Sequence, residues 1–431
     1  MQSASEQAQR HLIPRLGSER ASSGAGNKIV TYQDRTHVVW QDCTQDGYSN
    51  RVRSYDHRSG GWSDVFTLNQ GKDNHARPVI TMDHRGYLHA IMSGHNSPVT
   101  HRRSVRPSDA SAWTEAQPAG SGTYPIVVCG PDDTLYLTLR SSRRWNGVDL
   151  YVKPLDGPWR QKAKLVKRAE EYSGYGAFHN GLAWAPDGTL HMVCDFYESK
   201  AQRGVHQAVC YMRSRDGGET WQKADDAPVE LPARPEHMDV LARDTGPRHE
   251  AMPPPVILAQ GCIAVDSRGT PYGLYVSHLE KPGQVMLATT NREGKWMQRA
   301  IDAAEQAYPR MRPIGCRGAL SIDEDDTLYL LLELVPLGEG WVDGKPTRGM
   351  RFLEEPVKRL VWLVSEDGGR TFRVRPALEP GLMLNQANTE RPTGVNTIPA
   401  GRMPPFAYFD GLSRYREPGE LIQNNVYLVM P

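Results

Sequence analysis

A chain of 431 residues with 51 Lys+Arg against 50 Asp+Glu carries a formal charge of +1, so no global field draws it to nucleic acid or to an anionic membrane. Its 40 glycines and 32 prolines interrupt the chain too often for long helices, and six cysteines without C-x-x-C spacing are too sparse for a disulfide scaffold. No stretch reaches the roughly 18 apolar residues of a membrane span, and the opening MQSASEQAQRHLIPRLGSER lacks a signal peptide's apolar core. The expectation is an exported protein whose leader is absent from this chain, with a cytoplasmic location also compatible.

Residues 1–27 are expected to be disordered or peripheral, and residues 28–431 to form a single domain. KIVTYQDRTHVVW opens the ordered part as strand, turn and strand, and VRSYDHRSGGW adds a strand closing on Trp62. The same pair of units then recurs: VITMDHRGYLHAIM with HRRSVRPSDASAW ending at Trp113, IVVCGPDDTLYLTL with LYVKPLDGPW at Trp159, and LAWAPDGTLHMVC with CYMRSRDGGETW at Trp221. After a Pro- and charge-rich insertion come IAVDSRGTPYGLYV with MLATTNREGKW at Trp296, then ALSIDEDDTLYLLL with VWLVSEDGGRTF at Phe372. Six aromatic-closed copies at intervals of roughly 45 to 75 residues match the size of propeller blades. Residues 376–431 leave room for a seventh, and NNVYLVM is expected to pair with the first blade and close the ring. The predicted fold is all-β: a seven-bladed β-propeller of four-stranded antiparallel blades.

In such a blade the D-x-x-G turns join the inner strands at one end, so residues before the first strand and after the second emerge at the other. Counting along the repeats puts His75, Tyr124, Tyr175, His179 and Arg317 before first strands, and His95, Tyr197 and His278 after second strands. Gln41, Arg140, Asp195 and Glu333 lie near the same level. Taken singly, a loop histidine is usually a hydrogen-bonded surface group and a tyrosine usually packs. Agreement between two consecutive blades over His75, His95, Tyr124 and Arg140 singles those four out as a site.

Two hairpins, Ser214–Trp221 and Ser365–Phe372, resemble the Asp-box of sialidase-type propellers, a folding device without chemistry. The text DNHARPVITMDHRGYLHAIMSGHN, then HRRSVRPSDASAW, then TYP and the strand ending in Arg140, resembles the sialidase-like (BNR-repeat) propeller family that contains the ulvan lyases and other enzymes acting on rhamnose–uronate linkages. The resemblance implies a polysaccharide lyase acting on an acidic polysaccharide by β-elimination. His75 would be the base, His95 and Arg140 would face the uronate carboxylate, and Tyr124 would be the proton donor or a second base. Tyr175, His179, Tyr197, His278, Arg317 and Gln41 would contact substrate, with the family's remaining tyrosine role open among Tyr175, His179 and Tyr197.

That chemistry suits the residue types. A uronate C5 proton is weakly acidic until its carboxylate is neutralised, a neutral imidazole can remove it, and a phenol can protonate the departing oxygen. No cofactor is required for the chemistry. The resemblance also implies a structural zinc, for which His191, Cys194, His206 and Cys210 carry suitable atoms, although their spacing is no recognised zinc motif and a packed blade with buried thiols is the favoured reading. A sialidase is disfavoured because HLIPR is a poor match to its arginine motif. An α-L-rhamnosidase-type hydrolase and a non-catalytic carbohydrate-binding propeller remain as alternatives. The oligomeric state is not readable.

Overall fold

The computed structural model describes residues 9–71, 73–92, 94–141, 145–168, 175–199, 207–244, 257–338, 341–342, 345–346, 358–378, 384–413 and 420–430. Among them the fold is all-β, with antiparallel sheets arranged one after another along the chain. The first contains Ile29–Tyr32, Arg35–Thr44, Gly47–Asp56, Gly61–Trp62 and Phe66–Gly71. The long strand Gln117–Cys129 joins the next two hairpin sets into one eight-stranded sheet. Its first part pairs with Ser97–Arg106 and its second with Leu135–Ser141. Three further sheets cover Tyr175–Asp244, Ile257–Ile301 and Met311–Pro376, and a last one holds Leu384–Thr389, Phe406–Asp410 and Asn425–Met430.

The D-x-x-G turns form for a local reason. The Asp83 carboxylate accepts the N–H groups of Arg85 (3.0 Å) and Tyr87 (2.8 Å), while Gly86 takes φ +83°, a left-handed conformation that costs a side-chain-bearing residue energy. The Ser214–Trp221 hairpin is held similarly: Asp216 accepts the Thr220 N–H at 2.9 Å and its hydroxyl at 2.6 Å. Trp221 is 1% exposed within a core that includes Val148, Leu150 and Leu190. The second copy repeats the bonds from Thr371 to Asp367 at 2.9 and 2.7 Å. All six cysteines are buried and outside any disulfide.

The N-terminal expectation needs correction for residues 9–27. Gln9–Leu12 pairs antiparallel with Asn425–Met430, so the last strand meets this segment and not the sheet opened by Ile29–Tyr32. Ser18, Glu19 and Ala21 are fully buried. Polar and small residues enter the interior here because each finds a partner: Glu19 accepts from the Tyr48 hydroxyl (2.9 Å) and the Asn74 amide (2.7 Å), and Asn388 donates to the Gly24 carbonyl (2.7 Å).

Candidate active site

The loop from Gly71 to Pro78 turns on Asp73, whose carbonyl accepts the Ala76 N–H at 3.0 Å and whose Oδ1 accepts the His75 N–H at 2.6 Å. The same Oδ1 holds His75 Nδ1, and Oδ2 holds His95 Nδ1 at 3.0 Å. The two imidazoles stack at 4.1 Å between centroids and 19° between planes. An ionised carboxylate only accepts, so both Nδ1 atoms carry the proton that bonds Asp73. Burial pushes the His75 imidazole down, the Asp73 hydrogen bond pulls it up, and Arg20 and Arg77 deepen the fall, leaving it at about 4. His75 is therefore neutral at pH 7.

Tyr124 reaches the same place through a bulge. Thr123 pairs with Arg140 and Ile126 with Thr138, so Tyr124 and Pro125 together oppose Leu139, and Tyr124 takes φ +58°. A bulge of this kind re-aims a side chain, and a tyrosine in the left-handed region is held there by its surroundings. Its ring lies between the Arg140 guanidinium, 4.4 Å from the centroid, and His179, stacked at 5.1 Å, with Arg77 at 5.4 Å and His75 at 6.0 Å. Desolvation would raise the phenol; Arg140, Arg77, Arg20 and Arg317 outweigh it and hold the group below its ordinary value.

His179 is fixed by Asp195, which accepts its N–H at 2.8 Å and lies 3.3 Å from its Nδ1. Burial lowers this imidazole against the pull of Asp195. Together His75, Arg77, Tyr124, His179, Arg317 and Lys28 line a small, partly open cavity, closed on another side by Ser23–Gly26. No carboxylate is among the described residues lining it. Lys28 is wholly buried, donates to the Pro78 carbonyl, and is driven well below the ordinary lysine range by burial and then by Arg77 and Arg391. The chemistry on offer is a neutral imidazole and a polarised phenol in a cationic pocket suited to an anionic ligand.

Of the residues expected from sequence, the structure brings together His75, His95, Tyr124, Arg140, His179 and Arg317. Arg140 is fully buried behind the Tyr124 ring and does not line the cavity, so the guanidiniums that do are Arg77 and Arg317. His95 joins through Asp73 and is likewise outside the lining. Gln41 is corrected to a supporting role: it is buried, accepts from the Ser18 hydroxyl at 3.0 Å and donates to the Asp73 carbonyl at 3.3 Å. His278 is also corrected, being 1% exposed with its Nδ1 accepting the Gly283 N–H of its own loop at 2.9 Å. Tyr197 sits opposite Ala177 in its hairpin, away from the cavity lining. Tyr175 begins the strand Tyr175–Trp184, and its side chain lies outside the described set.

Sequence reasoning missed Asp73, Arg77, Lys28 and the Ser23–Gly26 wall. The first two stand in D-N-H-A-R, two residues either side of His75, a pattern that could have been read as an orienting acid and a pocket cation.

The zinc set does not fit. Alternation along the strand Leu190–Ser199 sends His191 and Cys194 to opposite faces. Cys194 and Cys210 share one core, whereas His191 bonds the Tyr211 hydroxyl at 2.7 Å. His206 lies outside the described residues. Among the described residues, metal-capable groups whose ligand atoms lie within 4.8 Å are Asp73–His75–His95 and His84–Cys129–Asp133. No helix is long and apolar enough to cross a membrane.

Comparison with known proteins sets this geometry in a family. A chain from Pseudoalteromonas sp. (strain PLSV), named Ulvan Lyase-PL25, is 27% identical over 361 residues, covering 72% of this chain and 71% of that one. The solved structure of a polysaccharide lyase PL25 ulvan lyase superposes with TM-score 0.67 at 15% identity, over 97% of this chain and 96% of that one. A companion structure bound to a GlcA(1-4)Rha3S unit gives TM-score 0.67 at 14% identity over the same shares. At such identities the structural likeness establishes the fold. Residues 31–304 match the model of the BNR repeat-containing family, and the chain belongs to that family.

Proposed function

We propose that this protein is a polysaccharide lyase that cleaves an ulvan-like, uronate-containing polysaccharide by β-elimination, on a propeller of seven blades. The observation that carries this reading is the convergence of His75 and Tyr124 on one cavity whose charged lining is cationic. The curated likeness to an ulvan lyase over most of both chains supports it. The seven-unit reading divides the eight-stranded sheet at Gln117–Cys129 and sets aside the two-stranded pairing of Trp341–Val342 with Lys345–Pro346.

In the proposed reaction Arg77 and Arg317 neutralise the uronate carboxylate, which acidifies the C5 proton. His75 Nε2 takes that proton, the C4–O4 bond breaks as a C4=C5 double bond forms, and the Tyr124 phenol protonates the departing O4. Asp73 holds His75 in the required tautomer, His95 buttresses it by stacking, and Arg140 polarises the phenol from behind. These last three are positioning residues. The substrate would be met outside the cell.

The test is incubation with a panel of uronate polysaccharides while following ultraviolet absorbance and new reducing ends. A lyase yields both, because the unsaturated uronate absorbs. Reducing ends without absorbance would identify a hydrolase of the rhamnosidase type, and binding without either would identify a carbohydrate-binding propeller.

A further inference from the structure

The strand Gln117–Cys129 carries Tyr124 at the candidate active site and ends, roughly 15 Å further on, at Cys129. There the turn 130–134 meets the turn 83–86 of the preceding hairpin set. Asp133 Oδ1 accepts the His84 N–H at 2.8 Å and lies 2.8 Å from His84 Nδ1 and 3.8 Å from Cys129 Sγ. An imidazole nitrogen, a sulfur and a carboxylate oxygen thus stand within 4.8 Å of one another. Cys129 is buried beneath them, and the His84 side chain is 46% exposed, so solvent reaches the group from one side.

A second copy of this contact shows what joining two such turns requires. Ser267 stands where His84 does, one residue after the turn aspartate, and donates its N–H and its hydroxyl to Asp326, both at 2.7 Å. Four residues before Asp326 the chain has a buried Ile322, as it has Cys129 four residues before Asp133. A hydroxyl and an aliphatic side chain therefore suffice for the fold, and His84 and Cys129 bring ligand chemistry that the joint does not need. Charge favours a cation here: burial, then the carboxylates of Asp133, Asp83 and Asp132, push the Cys129 thiol up. A field that opposes a thiolate attracts a dication, which takes the proton's place on sulfur. Arg85 lies 3.9 Å from Asp133 Oδ2 and 3.2 Å from Asp83, on the side away from Oδ1. Around a tetrahedral zinc-type ion, neighbouring N, O and S ligand atoms stand roughly 3.3–3.5 Å apart, and the separations of 2.8 and 3.8 Å bracket that spacing.

We propose that His84 Nδ1, Cys129 Sγ and Asp133 Oδ1 form a site for a borderline-soft divalent cation of the zinc type, with solvent in the fourth position. On binding, the thiol proton leaves to solvent and the imidazole proton moves to Nε2. The ion clasps the turns of two successive hairpin sets at the end of the strands remote from His75. This inference is independent of the lyase reading.

The experiment titrates the full chain, stripped with a chelator, first with Co²⁺ and then with Zn²⁺. Cobalt bound to a thiolate absorbs in the near ultraviolet, and the sulfur-free group Asp73–His75–His95 gives no such band. The expected result is a thiolate band that saturates at about one equivalent and is abolished by Zn²⁺. Zn²⁺ should also raise the unfolding temperature by several degrees. His84→Ser and Cys129→Ile install the residues of the Ser267 contact, so both are expected to fold without metal. Cys129→Ile should lack the band, and His84→Ser should bind Co²⁺ at least about tenfold more weakly. A wild type without the band overturns the proposal. So does a band that persists in Cys129→Ile, which would put the ion on another cysteine, and so does undiminished affinity in His84→Ser. Elimination rates play no part in the readout, so failure here and failure of the lyase reading are separate results.

Discussion

The segment from Asp73 to Arg106 carries two stacked imidazole pairs, each beside an aspartate. At one end His75 and His95 stack at 4.1 Å and share Asp73; at the other His89 and His101 stack at 5.2 Å, with His89 Nε2 3.3 Å from Asp83. The ingredients are the same and the surroundings differ. His89 and His101 are 5% and 2% exposed and bond each other at 3.0 Å, whereas the His95 side chain is 37% exposed and His75 opens on a cavity with Tyr124 and two guanidiniums. An imidazole whose lone pair faces another side chain fastens strands; one whose lone pair faces a cavity can take a proton from a ligand. Residue type and motif do not separate the cases, and access does.

The sharpest way to break this contrast is to delete one member of each pair. His75→Ala is expected to lower elimination on the order of 10²–10⁴-fold while the unfolding temperature stays nearly constant. An unimpaired rate would show that the exposed pair is as structural as the buried one. Acidification probes the buried imidazoles His101, of the other pair, and His191, which bonds Tyr211. Burial drives the His101 imidazole well below its usual range and holds His191 at about 4. Both stay neutral in the fold while the unfolded chain takes protons near pH 6.5, so stability is full above that value and is lost as pH falls, by about 1.4 kcal/mol per pH unit for each group. Thermal unfolding from pH 7 to 4.5 should show this slope, and a flat profile would contradict their burial.

His101→Ala, the mirror of the first deletion, should cost about 1–3 kcal/mol of stability, read by denaturant unfolding, and leave kcat/KM close to wild type. The smallest effect is expected from Arg20→Gln. Removing a cation near His75 raises its imidazole from about 4 toward the ordinary range. Because the base must be neutral, the acid limb of the kcat/KM profile should move to higher pH. The phenol, which Arg20 helps to lower, should titrate higher as well. A limb that moves down or stays fixed would remove His75 as the titrating base.

Much of the site is legible in the amino-acid sequence. Repeats that align by their turns place His75, His95, Tyr124, His179 and Arg317 at one level, and the fold gathers them, because strand alternation and turn position are local properties. His278 breaks the same count: its loop folds back so that the Gly283 N–H occupies the imidazole, and register counting carries no information about loop closure. The segment GSERASSGAGNK has the composition of a solvated linker. Its burial depends on shape, since a Cβ at Gly26 would come within 2.3 Å of Val79 Cγ1 and 2.6 Å of the Pro125 carbonyl. Small residues are there so that the backbone can pass, and composition alone cannot distinguish a tight fit from an open one.

Pairing of Gln9–Leu12 with Asn425–Met430 has a consequence for synthesis. Arg10 lies 3.4 Å from the Tyr408 hydroxyl across 398 residues of chain. A ribosome making this chain releases the pocket wall near Ser23 long before the strand that anchors its upstream neighbour. The pairing that fixes this wall can therefore form only after some 398 further residues have been added.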